Sequence, residues 1–86
     1  KLTNDWKQLS NFEILTMQLK VFEKYYELAI AHYQPTLTII HGVGLGKLRD
    51  EIHELLRLKK EVSSFVNQYN RLYGYGATEI YFDYKR

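Results

Sequence analysis

The chain has no cysteine among its 86 residues. That removes disulfides, thiolate nucleophiles and cysteine-type zinc sites, and it is compatible with a reducing compartment. A single proline and five glycines leave no linker and no low-complexity tract. No apolar run approaches the roughly 18 to 20 residues of a membrane span, and the first residues carry no signal-peptide pattern, so the chain reads as cytoplasmic. Neither sign of charge dominates. A net charge of +2 is too mild to argue a nucleic-acid partner by itself; only clustered basic residues would count. What is present is ordinary for a globular protein, 45% apolar and 26% charged residues, enough at this length for one modest core and one domain over residues 1–86. Tyrosine is the one enriched type, at eight residues, and tyrosines serve both as core residues with a polar tip and as contact residues, so their placement must decide.

Residues 1–9, KLTNDWKQL, form a polar lead-in without periodicity. Ser10 and Glu13 make a capping box, and a helix is expected over residues 10–33. Phe12, Leu15, Leu19, Phe22, Tyr26, Ile30 and Tyr33 recur at spacings of three and four as a core-facing stripe, with Glu13, Lys20, Glu23, Lys24 and Glu27 on the other side. Pro35 biases Gln34 away from helical angles and stops the helix near Tyr33. Residues 36–40, TLTII, are β-branched and apolar on both parities, the pattern of an interior parallel strand covered on both faces. A second helix is expected over 47–59, with Leu48, Ile52, Leu55 and Leu56 on its buried face. Residues 62–69 and 77–84 read as the two strands of a hairpin, the first with a bulge at Ser63 and Ser64.

The order helix, strand, helix, strand, strand gives an α/β domain of the α+β sandwich type whose first helix has no strand before it. Lys1 is not a start methionine, so the chain is expected to be a fragment or processed domain whose first strand lies upstream.

The segment HGVGLGKLRDEI joins a buried strand to a helix through glycines 42, 44 and 46. Backbone without side chains at a helix's positive end suits a phosphate-sized anion, with amides converging on it. The spacing is neither a Walker loop nor a dinucleotide fingerprint, so no nucleotide cofactor is evident. Lys47 sits in the first helical turn, where a cation opposes the dipole unless an anionic ligand or Asp50 and Glu51 offset it. The glycines have a second reading as a tight strand-to-helix connection. His41 has two readings as well: a proton-transfer residue at a strand's carboxyl end, or an imidazole that pins the loop by hydrogen bonding. His53 and His32 read as solvated or helix-end residues and are assigned no role. No metal-binding triad is visible.

In NRLYGYGAT, Arg71, Tyr73 and Tyr75 bracket glycines at the hairpin turn. Exposed tyrosine can stack on a base while arginine meets phosphate, but the simpler reading folds Tyr73 and Tyr75 back onto the sheet. Lys47, Arg49, Arg57, Arg71, Lys85 and Arg86 are the basic residues available for a footprint.

HGVGLGKLRDEIHELL, followed further on by GYGATEIYF, resembles the Smr domain, the small MutS-related module, whose pattern is HGxGxGxLR, an apolar helix, then G-x-G-A-T before a final strand. The resemblance covers about Thr36 to Phe82. It implies a βαβαββ fold similar to the C-terminal domain of translation initiation factor three, which would supply the strand missing here. It also implies nucleic-acid binding and, in several members, DNA nicking or RNA cleavage, for which a divalent cation is expected. His41, Gly42, Gly44, Gly46, Lys47 and Arg49 fall on the family's HGxG loop, and Gly76, Ala77 and Thr78 on its second motif. The family's LDLHG-type motif at the end of the first strand has no match in this chain, so the fragment alone is expected to cleave weakly or not at all. The contrasting expectation is a protein-interaction module that uses an open sheet edge or the first helix to dock another domain or a second copy.

Overall fold

The computed structural model describes residues 10–44 and 46–85; the lead-in 1–9, Leu45 and Arg86 lie outside the described residues. Five elements follow one another: α1 (Asn11–Ala31), β1 (Thr36–Ile40), α2 (Lys47–Arg57), β2 (Val62–Val66) and β3 (Ala77–Phe82). Two helices and a three-stranded antiparallel sheet make an α+β fold.

α1 begins on a reciprocal cap. The Glu13 amide donates to Ser10 Oγ at 3.1 Å, and the Ser10 amide donates to Glu13 Oε1 at 2.8 Å. The helix ends two residues before Tyr33, and the termination does not need proline. The Gln34 amide donates to the Ala29 carbonyl and the Tyr33 amide to the Ile30 carbonyl, closing the last turn with Tyr33 in the left-handed region at φ 52°. A non-glycine residue there is held by its surroundings: the Tyr33 and Tyr84 rings meet edge-on at 5.2 Å, and the Tyr84 hydroxyl donates to the Gln34 carbonyl at 2.6 Å.

The strand order is β1-β3-β2, so the last strand in sequence lies at the centre. β1 pairs with β3 antiparallel, Leu37 opposite Ile80 and Ile39 opposite Thr78, and among the described residues it is an edge strand. The expectation of a parallel strand is corrected for this pairing, which is antiparallel. TLTII is apolar on both parities by composition, yet its burial alternates: Leu37 and Ile39 are half-buried while Ile40 is 56% exposed. The buried strand is β3, where Ala77, Thr78 and Ile80 are all at 4% exposure or less. β2 pairs with β3 antiparallel with a register shift between Val62 and Ser64, the bulge the two serines suggested.

The core gathers Phe22 and Tyr26 of α1, Ile52 and Leu56 of α2, and Ile80 of β3, with Leu19, Leu37, Ile39, Leu48 and Phe65 packed around them. The ends of the expected α1 stripe do not join it, since Phe12 and Tyr33 are exposed. α1 instead carries a second apolar row on its outer side, Ile14, Met17, Val21, Tyr25 and Leu28, all exposed. Tyr26 shows how the core's edge is closed. Its hydroxyl donates to Glu61 at 3.0 Å, and Lys59 sits 4.5 Å over its ring while pairing with Glu23 at 3.0 Å. Burial, then the bond to Glu61, pushes the Tyr26 phenol above its ordinary range.

Candidate functional site

β1 leads at Ile40 into the glycine loop, and α2 starts at Lys47. Gly46 is the residue that makes this turn. It caps α2 in the left-handed region at φ 82°, it is buried, and a Cβ placed on it would run into the Arg49 guanidinium. Gly46 therefore fits the tight-connection reading. Gly42 and Gly44 are different: both are exposed, and a Cβ on either would meet nothing within 4 Å. They keep the mouth of the loop bare. Together with Gln18, His41 and Lys47 they line a shallow depression of about 170 Å³.

The expectation that the loop's amides converge on a ligand is corrected at its first two residues. The His41 and Gly42 amides both donate to the Gly76 carbonyl, at 2.8 and 2.9 Å. The first amides of α2 have no acceptor one turn back, as at any helix start. Gly76 is buried against this loop, and a Cβ on it would lie 3.1 Å from Gly42 Cα and 3.1 Å from the Tyr73 carbonyl oxygen. The two motif segments thus meet backbone to backbone, in a contact that a side chain on residue 76 would crowd.

His41 has both ring nitrogens engaged, Nδ1 with the Gly42 carbonyl at 2.8 Å and Nε2 with Thr78 Oγ1 at 2.8 Å. This is the pinning geometry. Thr78 is fully buried and is shared: His53 Nε2 lies 2.9 Å from the same oxygen. The reading of His53 as a solvated residue without a role is corrected. Its ring packs on Phe65 at 4.7 Å, and burial, then the charge of His41, hold its pKa below the ordinary imidazole value. The signal for it was weak, because His53 follows Ile52 at the border of α2's apolar face, where a partly buried polar residue and a solvated one look alike in sequence.

Lys47 is exposed on the first turn of α2, and Arg49 is half-buried and paired with Asp50 at 3.1 Å. The hairpin loop carries Arg71 and Tyr75, both exposed. Its shape is held by two asparagines. Asn70 Oδ1 accepts the Leu72 and Tyr73 amides, while Asn67 Nδ2 donates to the Tyr75 and Ala77 carbonyls. Tyr73 and Tyr75 do not fold back onto the sheet, as the simpler reading had it: Tyr75 is 57% exposed and meets Tyr69 edge-on at 5.6 Å.

Among the described residues no group of three or more His, Asp or Glu side chains could hold a metal ion. No helix of the described residues is long and apolar enough to cross a membrane.

The Smr domain family model matches residues 16–83. Among similar proteins, endonuclease MutS2 of Aquifex aeolicus is 32% identical over 66 residues, 77% of this chain and 9% of that protein. Endonuclease MutS2 of Lactiplantibacillus plantarum is 37% identical over 60 residues, 70% of this chain and 8% of that protein. The chain therefore spans less than a tenth of these relatives' length. The crystal structure of the Smr domain of Thermus thermophilus MutS2 superposes with a TM-score of 0.70 at 33% identity, covering 80% of this chain and 86% of that one. With one family model spanning most of its length and a solved member sharing its fold, this chain belongs to the Smr domain family.

Proposed function

We propose that this Smr domain binds nucleic acid, its glycine loop and the start of α2 receiving backbone phosphate within a larger endonuclease-type protein. The observation that carries the reading is Lys47, an exposed cation on the first turn of α2 beside bare Gly42 and Gly44. A lysine there opposes the helix dipole, and a bound phosphate removes the conflict. Arg49 adds charge, reduced by its pairing with Asp50. On the hairpin loop, Arg71 can meet a further phosphate while exposed Tyr75 offers a ring to an unpaired base. Gly76 and Thr78 support the contact by holding the two loops together, and Gly46 by forming the turn into α2. The relatives named endonuclease MutS2 agree with this class of partner.

The test is salt-dependent binding of single- and double-stranded oligonucleotides. Affinity falls steeply from low to physiological salt, and Lys47→Glu weakens it while lowering the salt slope by about one phosphate contact. A salt-insensitive interaction, or none at micromolar protein, would count against the reading.

Cleavage is proposed only for the parent protein with a divalent cation, with this domain alone weak or inactive. His41 would take part only by exchanging one of its two internal bonds. Equal cleavage by a His41→Ala protein would remove it from that role.

A second reading, a module for self-association or for docking another domain, is favoured by the outer row of α1 and the open edge of β1. Val21 and Tyr25 of that row border, with Leu37 and Ile40, a groove of about 420 Å³. Light scattering separates the two: a stable dimer without oligonucleotide affinity supports the second, a monomer that binds oligonucleotide the first.

A further inference from the structure

His41, Thr78 and His53 come from the glycine loop, the central strand and α2, and a single hydroxyl joins them. The polarity of that junction follows from donor and acceptor chemistry. The Gly42 carbonyl can only accept, so His41 Nδ1, 2.8 Å away, carries a proton. In neutral His41 the Nε2 atom is then bare and must accept the Thr78 hydroxyl proton across 2.8 Å. With its one proton used, Thr78 Oγ1 faces His53 Nε2 at 2.9 Å with a lone pair, so His53 Nε2 is the donor.

We propose that His53 is a positioning residue of the glycine loop: its Nε2–H donates to Thr78, whose hydroxyl donates to His41 Nε2, fixing the His41 tautomer that holds the Gly42 carbonyl. Without the His53 donor, the hydroxyl could turn and accept from His41 Nε2–H, and the Nδ1–H form would rest on its bond to the Gly42 carbonyl alone. The consequence for the loop is direct, because a captured Gly42 carbonyl is an oxygen turned away from an incoming anion. In that respect the proposal rests on the phosphate reading; the relay itself does not.

The surroundings favour a neutral His53. The imidazole centroids lie 6.3 Å apart, so two positive charges would repel, and Arg49 and Arg57 add to that while Asp50 opposes it. Phe65 backs the His53 ring at 4.7 Å, and the Arg57 guanidinium lies 5.7 Å from the centroid of that same phenyl ring.

Nitrogen-15 NMR of the histidine rings tests this on the unmodified chain above the imidazole titration range, with exposed His32 as internal reference. The expected spectrum has His41 in the less common Nδ1–H form and His53 in the Nε2–H form, with the Thr78 hydroxyl proton coupled to His41 Nε2. A His41 Nε2–H form, or a hydroxyl proton coupled to His53 instead, overturns the proposal. His53→Phe keeps a ring against Phe65 but has no N–H; in it His41 becomes an exchanging mixture of tautomers. An unchanged His41 pattern in a folded His53→Phe chain removes the positioning role. Should that variant not fold, Thr78→Ser against Thr78→Val reads the same relay: serine retains the native His41 pattern and valine loses it, and a native pattern in the valine chain overturns the idea. A chain with the expected spectrum but no oligonucleotide affinity sinks the phosphate reading and leaves the relay standing.

Discussion

The carbonyl of Gly76 accepts two consecutive amides, those of His41 and Gly42, at 2.8 and 2.9 Å. This one oxygen ties the strand-to-helix turn to the hairpin turn. Gly76→Ala would place a methyl 3.1 Å from the Gly42 backbone and from the Tyr73 carbonyl, and neither is the end of a flexible side chain. The variant is expected to lose about 1–3 kcal/mol, the usual cost of forcing an extra carbon into a packed contact. Denaturant unfolding checks it, and native stability in Gly76→Ala would mean the two loops are not held through this approach.

Gly46 caps α2 at φ 82°, where an L side chain is strained irrespective of space. Gly46→Ala should destabilise by about 1–2 kcal/mol through the backbone alone. Gly46→Asn should cost less, because asparagine tolerates the left-handed region. Equal melting temperatures for the two variants would assign the loss to displacement of Arg49 instead.

Acid sensitivity should carry the mark of His53. Burial, then His41, depresses its pKa from the ordinary 6.5, so as pH falls the unfolded chain takes up a proton before the folded one does. The His53 contribution is complete above about 6.5, declines as pH drops below it, and stops changing once the folded imidazole is itself protonated. Stability measured against pH should fall in that window for the native chain and more shallowly for His53→Phe. Parallel curves would assign the acid response to other groups.

Ile80 is fully buried at the centre of β3, opposite Leu37 and Phe65 on its two neighbours. Ile80→Ala removes core volume from the sheet's middle and should cost about 2–5 kcal/mol, read by denaturant unfolding. The exposed Ile40→Ala is the control, and a comparable loss there would contradict the assignment of β3 as the buried strand.

Much of the fold was legible because each signal was local. The Ser10–Glu13 cap, the spacing of Leu19, Phe22 and Tyr26, and the alternation of Thr78 and Ile80 are properties of short windows, and each determines one element. The glycines marked the strand-to-helix turn for the same reason. What could not be read was pairing. TLTII looks equally apolar from either side, and nothing within five residues tells that β3, rather than β1, takes the central place. His53 was missed on like grounds, since its partner Thr78 lies 25 residues away and only the folded chain brings the two together. Asn67 and Asn70 were passed over because their work is to bond backbone, which a sequence motif does not display.

The central position of β3 bears on how the chain is made. During synthesis β1 and β2 leave the ribosome before residues 77–82, the strand that pairs with both. A chain cut before Ala77 would hold α1, β1, α2 and β2 without the strand that pairs with both β1 and β2.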